Sequence, residues 1–310
     1  MNKPPWVPPV KCQGIKTKLV NEIKRLANGF PRRRWVEPFC GSCVVALNLQ
    51  PKSGLLADSN VHIIRLYKDI QAHLLTPVIV REFLQDQGNQ LRRLGEDYYY
   101  EVRDRFNSAP NSLDFLFLNR SCFNGVMRFN RSGKFNVPFC RKPERFSQAY
   151  ITKIANQVFS IARVVSVSDW EFRVADFRDV LAEVTDDDFV YADPPYAGRH
   201  VDYFNTWSEA DEGDLAQRLA QLPGRFILST WHSNKFRVNP LIEKNWSAER
   251  FHIFTRQHYY HVGATEDLRH AMVEALITNF AAPPIGSKVE ASQQLLFVEE
   301  PKQHYSLVNG

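Results

Sequence analysis

A strand, a tight turn, a helix and a second strand follow one another near the start of the chain, and this order constrains the fold most. Residues 35–39 form a short apolar run, and residues 44–49 have helical character after the turn at Gly41. A second apolar run, residues 54–57, ends at Asp58. Such a succession, with an acid at the end of the second strand, is half of a nucleotide-binding unit. The sequence therefore predicts an α/β fold.

The α/β pattern stops near residue 65 and returns near residue 165. The residues between them are aromatic and basic, have helical periodicity and include a glycine-punctuated segment at residues 119–139. We therefore predict a discontinuous catalytic domain, residues 1–64 and 165–282, interrupted by a module at residues 65–164. Residues 283–310 begin with prolines and a glycine and are predicted to be a linker or tail that possesses at most one added strand.

Basic side chains are concentrated in two segments of the chain. The net charge is +5, but residues 1–35 carry +8 and residues 103–145 carry +6, which leaves −9 elsewhere. Two basic segments on an otherwise acidic chain indicate a face that binds a polyanion. Charge runs also occur simply to keep a surface solvated, and charge alone does not separate these two interpretations.

The overall composition excludes several classes of protein. With 44% hydrophobic and 24% charged residues, the chain has the balance of a globular protein rather than of a disordered, collagenous or coiled-coil one. We expect no transmembrane helix and no signal peptide, because no apolar run approaches about 18 residues and the first ten residues contain four prolines. Five cysteines, an odd number, indicate a reducing compartment and hence the cytoplasm.

The motif Asp193-Pro194-Pro195-Tyr196 directly follows the apolar run at residues 189–192. The prolines end the strand and fix the backbone, and because they lack N–H groups they leave nearby carbonyl oxygens as acceptors. The Asp and a proline carbonyl can then accept two hydrogen bonds from one exocyclic amine, while the Tyr ring stacks on its heterocycle. The alternative is a proline-rich loop whose tyrosine packs on the core.

Five further residues offer groups that suit an adenosyl-amino-acid cofactor. Lys16 precedes the first helix, where N–H groups and an ammonium favour a carboxylate. The glycine at position 41 lets the backbone approach a ligand, and Asp58 is placed to bind ribose hydroxyls. Asp176 and Phe177 offer an acceptor for an adenine amine and a ring for its face. Together these groups account for the carboxylate, ribose and adenine of such a cofactor.

In these residues and their order, the chain resembles the D12-class, Dam-like DNA adenine N6-methyltransferases of the α group. The family has a Gly-Gly-Lys-like segment, a Glu-Pro-Phe-x-Gly turn, an Asp after the second strand, a recognition module, then Asp-Phe and Asp-Pro-Pro-Tyr. This chain has all of them, over residues 11–280. Residues 118–139 also match the family's long Asn-Arg…Phe-Asn-Gly…Arg…Phe-Asn-Val-Pro block.

The resemblance implies a Rossmann-like methyltransferase fold with a mixed seven-stranded sheet, S-adenosylmethionine as cofactor, and an inserted target-recognition module with a β-hairpin. It implies catalytic roles for Asp193, Pro194, Pro195 and Tyr196. The positions that match the family's cofactor contacts or pocket lining are Cys12, Lys16, Phe39, Gly41, Asp58, Asp176, Phe177 and Asp193. Cys12 replaces a frequent aromatic residue, while Cys43 and Ile15 replace glycines and are expected to narrow the pocket.

The resemblance further implies that the substrate is an adenine flipped out of duplex DNA. Phe129 and Asn130, at the expected hairpin tip, would fill or flank the vacated space, and Arg128 and Arg131 would contact guanines in the major groove. Lys134, Arg141, Lys142 and Arg145 are expected to bind phosphates. The residues assigned to the DNA-binding site itself are Lys11, Asn119, Arg120, Arg128, Phe129, Asn130, Arg131, Lys134 and Arg141.

Other interpretations remain open at this point. Cys40 and Cys43 have the spacing of a redox or zinc pair, but no second pair accompanies them. The histidines 258, 261 and 270 lie in an expected mobile loop that caps the base or DNA rather than holding a metal. The chain could also methylate RNA or cytosine N4, or bind DNA without activity. A restriction endonuclease that acts on the same site is an expected partner, and a solitary enzyme is the alternative.

Overall fold

The computed structural model describes residues 4–196, 207–259 and 271–283, and these contain a seven-stranded mixed sheet with helices on both sides. The strand order is β3-β2-β1-β4-β5-β7-β6, with β7 antiparallel to its neighbours β5 and β6 and the other pairings parallel. The mixed seven-stranded sheet of the prediction is thus confirmed. The strands are β1 Arg34–Glu37, β2 Ser53–Asp58, β3 Asp169–Val174, β4 Asp188–Ala192, β5 Arg225–Asn234, β6 His252–Tyr259 and β7 Ala271–Thr278.

Ten helices occur among the described residues, several of them started by side-chain caps. The side chains of Thr76, Asn111 and Ser147 accept hydrogen bonds from the first turns of α4, α6 and α7, which satisfies N–H groups that lack a helical partner. The helices are α1 Val20–Ala27, α2 Val44–Leu49, α3 Val61–Gln71, α4 Pro77–Leu94, α5 Glu96–Ser108, α6 Ser112–Ser121, α7 Gln148–Val165, α8 Phe177–Ala182, α9 Glu209–Ala220 and α10 Pro240–Asn245.

The order of the strands reverses between β1 and β4, which lie side by side at the centre of the sheet. β4 is buried along its whole length, which explains why its sequence is a continuous apolar run. Trp35 of β1 stacks on Phe189 of β4, with ring centroids 5.3 Å apart. In open α/β sheets, ligands bind beyond the carboxyl ends of strands at such a reversal. The chain segments that leave β1 and β4 therefore occupy the usual ligand position.

One of the two hydrophobic clusters among the described residues connects the sheet with the middle of the chain. It includes Trp35 and Tyr67 together with Leu84, Phe117 and Ile154 from α4, α6 and α7. Residues 65–164 therefore share buried side chains with the rest of the protein instead of enclosing a separate core. The division into a catalytic domain and an inserted module stays a prediction.

The segment that carries the expected hairpin contains a short antiparallel loop. Phe129 and Phe135 form an antiparallel bridge, and the Asn130 N–H donates to the Lys134 carbonyl at 2.9 Å. The Asn130 side chain also accepts from the N–H groups of Ser132 and Lys134 at 3.0 and 2.9 Å. These contacts fix an exposed turn at residues 130–134.

The expectation of a loop around the histidines is wrong at its start. The backbone of His258 and Tyr259 belongs to β6 and pairs with β7 to the strand's end. The pairing with β7 satisfies backbone groups that a loop would leave to water, and the mixed polar sequence of β6 gave no apolar signal. His261, His270 and residues 284–310, for which the sequence also gave predictions, lie outside the described residues. No described helix is both long and apolar enough to cross a membrane.

Candidate active site

A buried ion pair joins the start of the chain to the motif after β4. The ammonium nitrogen Nζ of Lys16 lies 2.8 Å from one carboxylate oxygen of Asp193 and 3.0 Å from the other. The same nitrogen donates to the carbonyl of Gly14 at 2.8 Å. The Lys16 side chain is 3% exposed and that of Asp193 is 21% exposed, so the carboxylate keeps an accessible side. The pair places an anchored acceptor at the centre of the sheet's carboxyl edge.

The environment of this pair keeps Asp193 ionised near neutral pH. Burial raises the pKa of Asp193 to about 6, and the Lys16 ammonium opposes that rise. Burial is the largest single influence and lowers the pKa of Lys16, but Asp193, Tyr196 and Glu274 together outweigh it, so the pKa lies well above its usual value. At pH 7 the carboxylate is therefore an acceptor and Lys16 is a cation.

Tyr196 connects this pair to β7. Its ring centroid lies 5.1 Å from Lys16 Nζ, and its hydroxyl donates to Oε1 of Glu274 at 3.3 Å. Burial raises the pKa of Tyr196 well above its usual value, so the phenol is neutral and can donate. Glu274 is 1% exposed and lies in β7 opposite Trp231 of β5. Sequence reasoning missed Glu274, although a lone acid at the head of an apolar run was a signal.

The turn after β1 is held against the end of β2. The Gly41 N–H donates to Oδ2 of Asp58 at 2.9 Å, and the Asn60 N–H donates to Oδ1 at 2.8 Å. Gly41 has a φ of +46°, and a Cβ added there would meet no atom within 4 Å. Open space therefore lies next to a carboxylate whose orientation two N–H groups have already fixed. This arrangement fits the sugar hydroxyls of a nucleoside.

Three aromatic rings meet beyond β1 and β3. The centroid of Phe39 lies 5.3 Å from that of Phe177 and 5.5 Å from that of Trp207, and the last two rings are 5.4 Å apart. The indole N–H of Trp207 donates to Oε2 of Glu212 at 2.7 Å, which fixes the ring. The structure thus brings the predicted Phe39 and Phe177 together and adds Trp207, which the sequence patterns did not indicate.

Asp176 lies at the start of α8, beside this cluster. Its side chain accepts from the Arg178 N–H at 2.9 Å, which caps the helix, and it forms an ion pair of 3.3 Å with the Arg178 guanidinium. Arg178 also pairs with Asp211 and Asp214 of α9. Asp176 is therefore engaged in local contacts, and its proposed bond to an adenine amine would have to coexist with them.

Of the cysteines near the turn, Cys40 and Cys43 are buried and Cys12 is half-buried. Burial raises the pKa of Cys12, Cys40 and Cys43, which leaves them protonated at neutral pH and disfavours thiolate chemistry. Cys43 has a φ of +54°, in the left-handed region that glycine adopts without strain. This conformation explains why a glycine would be the usual residue there. Its side chain packs in the core with Tyr67.

The structure corrects two of the predicted DNA contacts. Asn119 is 0% exposed, and its side chain accepts from the Lys11 N–H at 2.8 Å and donates to the Lys11 carbonyl at 2.9 Å. Arg120 is also buried and donates to the carbonyls of Pro8 and Pro9. Neither side chain has surface with which to reach a DNA groove. Both instead fasten the N-terminal segment to the end of α6.

Phe129 also differs from its expected place at a hairpin tip. It is 7% exposed and stacks on His62, with ring centroids 5.0 Å apart and planes at 16°. The exposed turn instead presents Asn130, Arg131 and Lys134, and Arg141 is exposed nearby. Arg128 is half-buried and donates to the side chain of Asn136 at 2.8 Å.

Lys11 and Arg145 are half-buried, so their exposure is intermediate between that of the buried Asn119 and Arg120 and that of the exposed turn. Lys11 is half-buried, and its alkyl chain packs so closely on Gly125 that a Cβ there would clash. Arg145 donates to the Arg120 carbonyl at 3.0 Å and to the Tyr150 hydroxyl at 3.2 Å.

Within the described part of the chain, no group of three His, Cys, Asp or Glu side chains could hold a metal ion.

Comparisons with known proteins show which family the sequence resembles. The sequence model for D12 class N6 adenine-specific DNA methyltransferases matches residues 13–264. The Retron Ec67 DNA adenine methylase of Escherichia coli is 34% identical over 221 residues, which cover 68% of this chain and 71% of that protein. The DNA adenine methylase of Serratia marcescens is 33% identical over 232 residues, which cover 69% of this chain and 77% of that protein.

A third relative is longer than this chain. The modification methylase StsI of Streptococcus sanguinis is 29% identical over 287 residues, which cover 88% of this chain but 42% of that protein. This chain therefore spans less than half of that relative. The region matched by the family model contains Lys16, Asp58 and Asp193 and ends before Glu274.

Proposed function

The chain belongs to the D12 class of N6 adenine-specific DNA methyltransferases, and we propose that it transfers a methyl group from S-adenosylmethionine to an adenine N6 amine at a specific site in duplex DNA. The observation that carries the proposal is the Lys16–Asp193 pair, which places an ionised and partly accessible carboxylate where the central strand ends. The neutral Tyr196 phenol lies beside it. This is the group of side chains that an exocyclic amine on a flat base requires.

The residues present fit the proposed cofactor. The open space beside Gly41 and Asp58 suits the ribose, and the ring cluster of Phe39, Phe177 and Trp207 suits the adenine. The Lys16 ammonium offers a positive charge to the amino-acid carboxylate and already contacts Asp193 and the Gly14 carbonyl. When bound, S-adenosylmethionine supplies a methyl group on a cationic sulfur as the electrophile.

The role of Asp193 follows from the electronic structure of the target. The N6 lone pair is delocalised into the adenine ring, so the amine is a poor nucleophile. Hydrogen bonds from N6 to the Asp193 carboxylate and to the Pro194 carbonyl draw the nitrogen toward tetrahedral geometry and localise that lone pair. Such positioning and charge stabilisation supply most of the rate gain. Asp193 or water takes the proton after transfer.

Tyr196 and the exposed turn at residues 130–134 contact the DNA. The target amine lies inside the duplex, so the base leaves the stack at a cost of a few kcal/mol, and stacking on the Tyr196 ring offsets part of that cost. The exposed cations Arg131, Lys134 and Arg141 contact the flanking DNA.

The five free thiols support a reducing compartment with access to DNA, the cytoplasm of a prokaryote or a phage-infected cell.

We also propose that the enzyme protects its site against a restriction endonuclease. The relative from Streptococcus sanguinis carries the name modification methylase, which supports this role. Two other relatives are named DNA adenine methylases, so a solitary enzyme is the alternative. Host-cell extract separates the two, because a restriction–modification pair predicts an endonuclease that cuts unmethylated but not methylated DNA at the same site, and a solitary enzyme predicts none.

Transfer of tritium from labelled S-adenosylmethionine tests the activity. The wild-type chain is expected to label unmethylated duplex DNA, with all label in N6-methyladenine after hydrolysis of the DNA. Label in N4-methylcytosine or in RNA would instead support the competing substrates. Binding of DNA without any label would mean an inactive DNA-binding protein. Sequencing of the methylated positions then gives the recognition site.

A further inference from the structure

A tight turn at residues 234–238 presents cations and an aromatic ring beyond the end of β5. The Asn234 N–H donates to the Arg237 carbonyl at 2.9 Å. The Asn234 side chain accepts from the N–H groups of Phe236 and Arg237 at 2.9 and 3.0 Å. Although the backbone is held in this way, Phe236 is 73% exposed and its neighbours Lys235 and Arg237 are also exposed. We call these residues the β5 turn.

Buried contacts at its base make the β5 turn a fixed part of the sheet. Ser233 and Val238 form an antiparallel bridge, and the Asn239 N–H donates to the His232 carbonyl at 2.8 Å. The buried side chain of Asn239 donates to the Trp231 carbonyl at 2.9 Å. Because these contacts fix the backbone, the Phe236 ring stays exposed to water. Its exposure costs free energy, since burial of such a ring would stabilise the protein.

The β5 turn lies on the same edge of the sheet as the candidate active site. β5 is parallel to β4, so both strands point their carboxyl ends to this edge. Trp231 pairs with Glu274, which accepts the Tyr196 hydrogen bond. Asn234 is three residues further along β5, which is about 10 Å at the usual rise per strand residue. A substrate much larger than one base would therefore reach the turn.

The charge of the β5 turn suits a phosphate backbone. The Arg237 guanidinium lies 5.0 Å from the ring centroid of Trp231, which orients it, and Lys235 Nζ lies 5.9 Å from that of Phe236. In the part of the chain that the structure describes, no salt bridge to either cation occurs. Lys and Arg bind phosphates, and aromatic rings pack on sugars and bases. Neither cation belongs to the two basic segments of the sequence.

We propose that the β5 turn is a second DNA-contact surface, separate from the turn at residues 130–134. Lys235 and Arg237 bind backbone phosphates of the duplex, and Phe236 packs against the sugar and base beside the extruded adenine. This inference rests on the proposed function, because it places the substrate's duplex over the sheet edge that carries Asp193. The β5 turn would then add its contacts to those of the turn at residues 130–134.

The salt dependence of DNA affinity tests the cations. Each of Lys235→Ala and Arg237→Ala is expected to reduce the slope of log K against log salt by about one, because one phosphate contact is lost. The matched control is Lys52→Ala, an exposed lysine at the opposite edge of the sheet before β2, which should leave the slope unchanged. Thermal unfolding midpoints equal to wild type show that the variants are folded.

The aromatic ring is tested by a loss that salt does not alter. Phe236→Ala is expected to weaken duplex binding at least about fivefold with an unchanged salt slope, since stacking on a base is worth about 1–3 kcal/mol. Its control is Leu74→Ala, another exposed apolar side chain, at the end of α3 away from the sheet edge. No change is expected there.

Two results would overturn the inference while leaving the proposed function intact. In the first, wild type methylates DNA but all three β5-turn variants match Lys52→Ala in affinity and slope. In the second, the variants change the oligomeric state in sedimentation experiments without altering DNA affinity, which would make the turn a protein contact. If the wild-type chain neither binds nor methylates DNA, the proposed function itself fails, and this inference fails with it.

Discussion

Lys16 and Asp193 are 177 residues apart in the chain, yet the ammonium of one lies 2.8 Å from the carboxylate of the other. The pair joins the segment before α1 to the end of the central strand β4. It holds the acceptor of the proposed reaction in its ionised form and keeps one side of that carboxylate accessible. Several expected outcomes depend on this contact or on residues close to it.

Replacement of the acceptor should stop the reaction without stopping DNA binding. Asp193→Ala is expected to lower methyl transfer by at least about 10²–10³-fold, because N6 loses the charged acceptor that localises its lone pair. Duplex affinity, measured by fluorescence anisotropy, should stay close to wild type. Asp186→Ala, an exposed acid before β4, is the matched control. Near-normal turnover of Asp193→Ala would contradict its catalytic role.

The rate should depend on pH through Asp193. Its pKa of about 6 means that the carboxylate becomes protonated, and loses the negative charge that makes it a strong acceptor, as pH falls through 6. The single-turnover rate is therefore expected to fall on the acid side of that value and to level off above about pH 7. A flat profile between pH 5 and 7.5 would argue against an ionised Asp193 in the reaction.

Removal of the Lys16 charge should change the pH at which the rate falls, here called the acid limb of the pH profile. Lys16→Met deletes the charge that opposes the burial-driven rise of the Asp193 pKa, so the acid limb is expected to shift to higher pH. The same variant should weaken binding of the cofactor carboxylate, measured by calorimetry. Lys24→Met, on the exposed face of α1, should alter neither property. A lower rate with an unmoved acid limb would separate Lys16 from the ionisation of Asp193.

Glu274 is expected to position Tyr196 rather than to react. Glu274→Ala and Tyr196→Phe each remove the same 3.3 Å hydrogen bond, so their effects on methyl transfer should not add, with a coupling of about 1 kcal/mol. Fluorescence of 2-aminopurine at the target position should report a less ordered flipped base in both. Glu274→Gln keeps an acceptor oxygen and should recover most of the rate. Additive losses in the double variant would mean that the contact carries no function.

The interior position of Arg120 should appear in stability and not in DNA binding. Arg120→Ala removes charge-assisted hydrogen bonds to Pro8 and Pro9 and is expected to lower the free energy of unfolding by about 2–3 kcal/mol. Its salt slope for DNA should equal that of wild type. Arg131→Ala, in the exposed turn, should leave stability within about 0.5 kcal/mol and lower the slope or relax sequence preference. A lower salt slope for Arg120→Ala with unchanged stability would instead mean that Arg120 contacts DNA.

The sequence by itself determined three central strands of the sheet and the place of the site. Apolar runs, the glycine turn and the prolines act on the chain locally, so they predicted β1, α2, β2 and β4 nearly at their observed bounds. Asp58 and Asp193 stand at the ends of their strands for the same reason. The edge strand β6 was not predicted, because its mixed polar residues pair with β7 without forming an apolar run.

Only the tertiary structure decided which side chains meet and which are buried. A basic residue in a basic segment has the same appearance in the sequence whether it faces solvent, as Arg131 does, or is buried under the N-terminal segment, as Arg120 is. The contacts of Glu274 with Tyr196 and of Trp207 with Phe39 join distant parts of the chain. No local pattern encodes them, because burial and pairing arise from the packing of whole elements against one another.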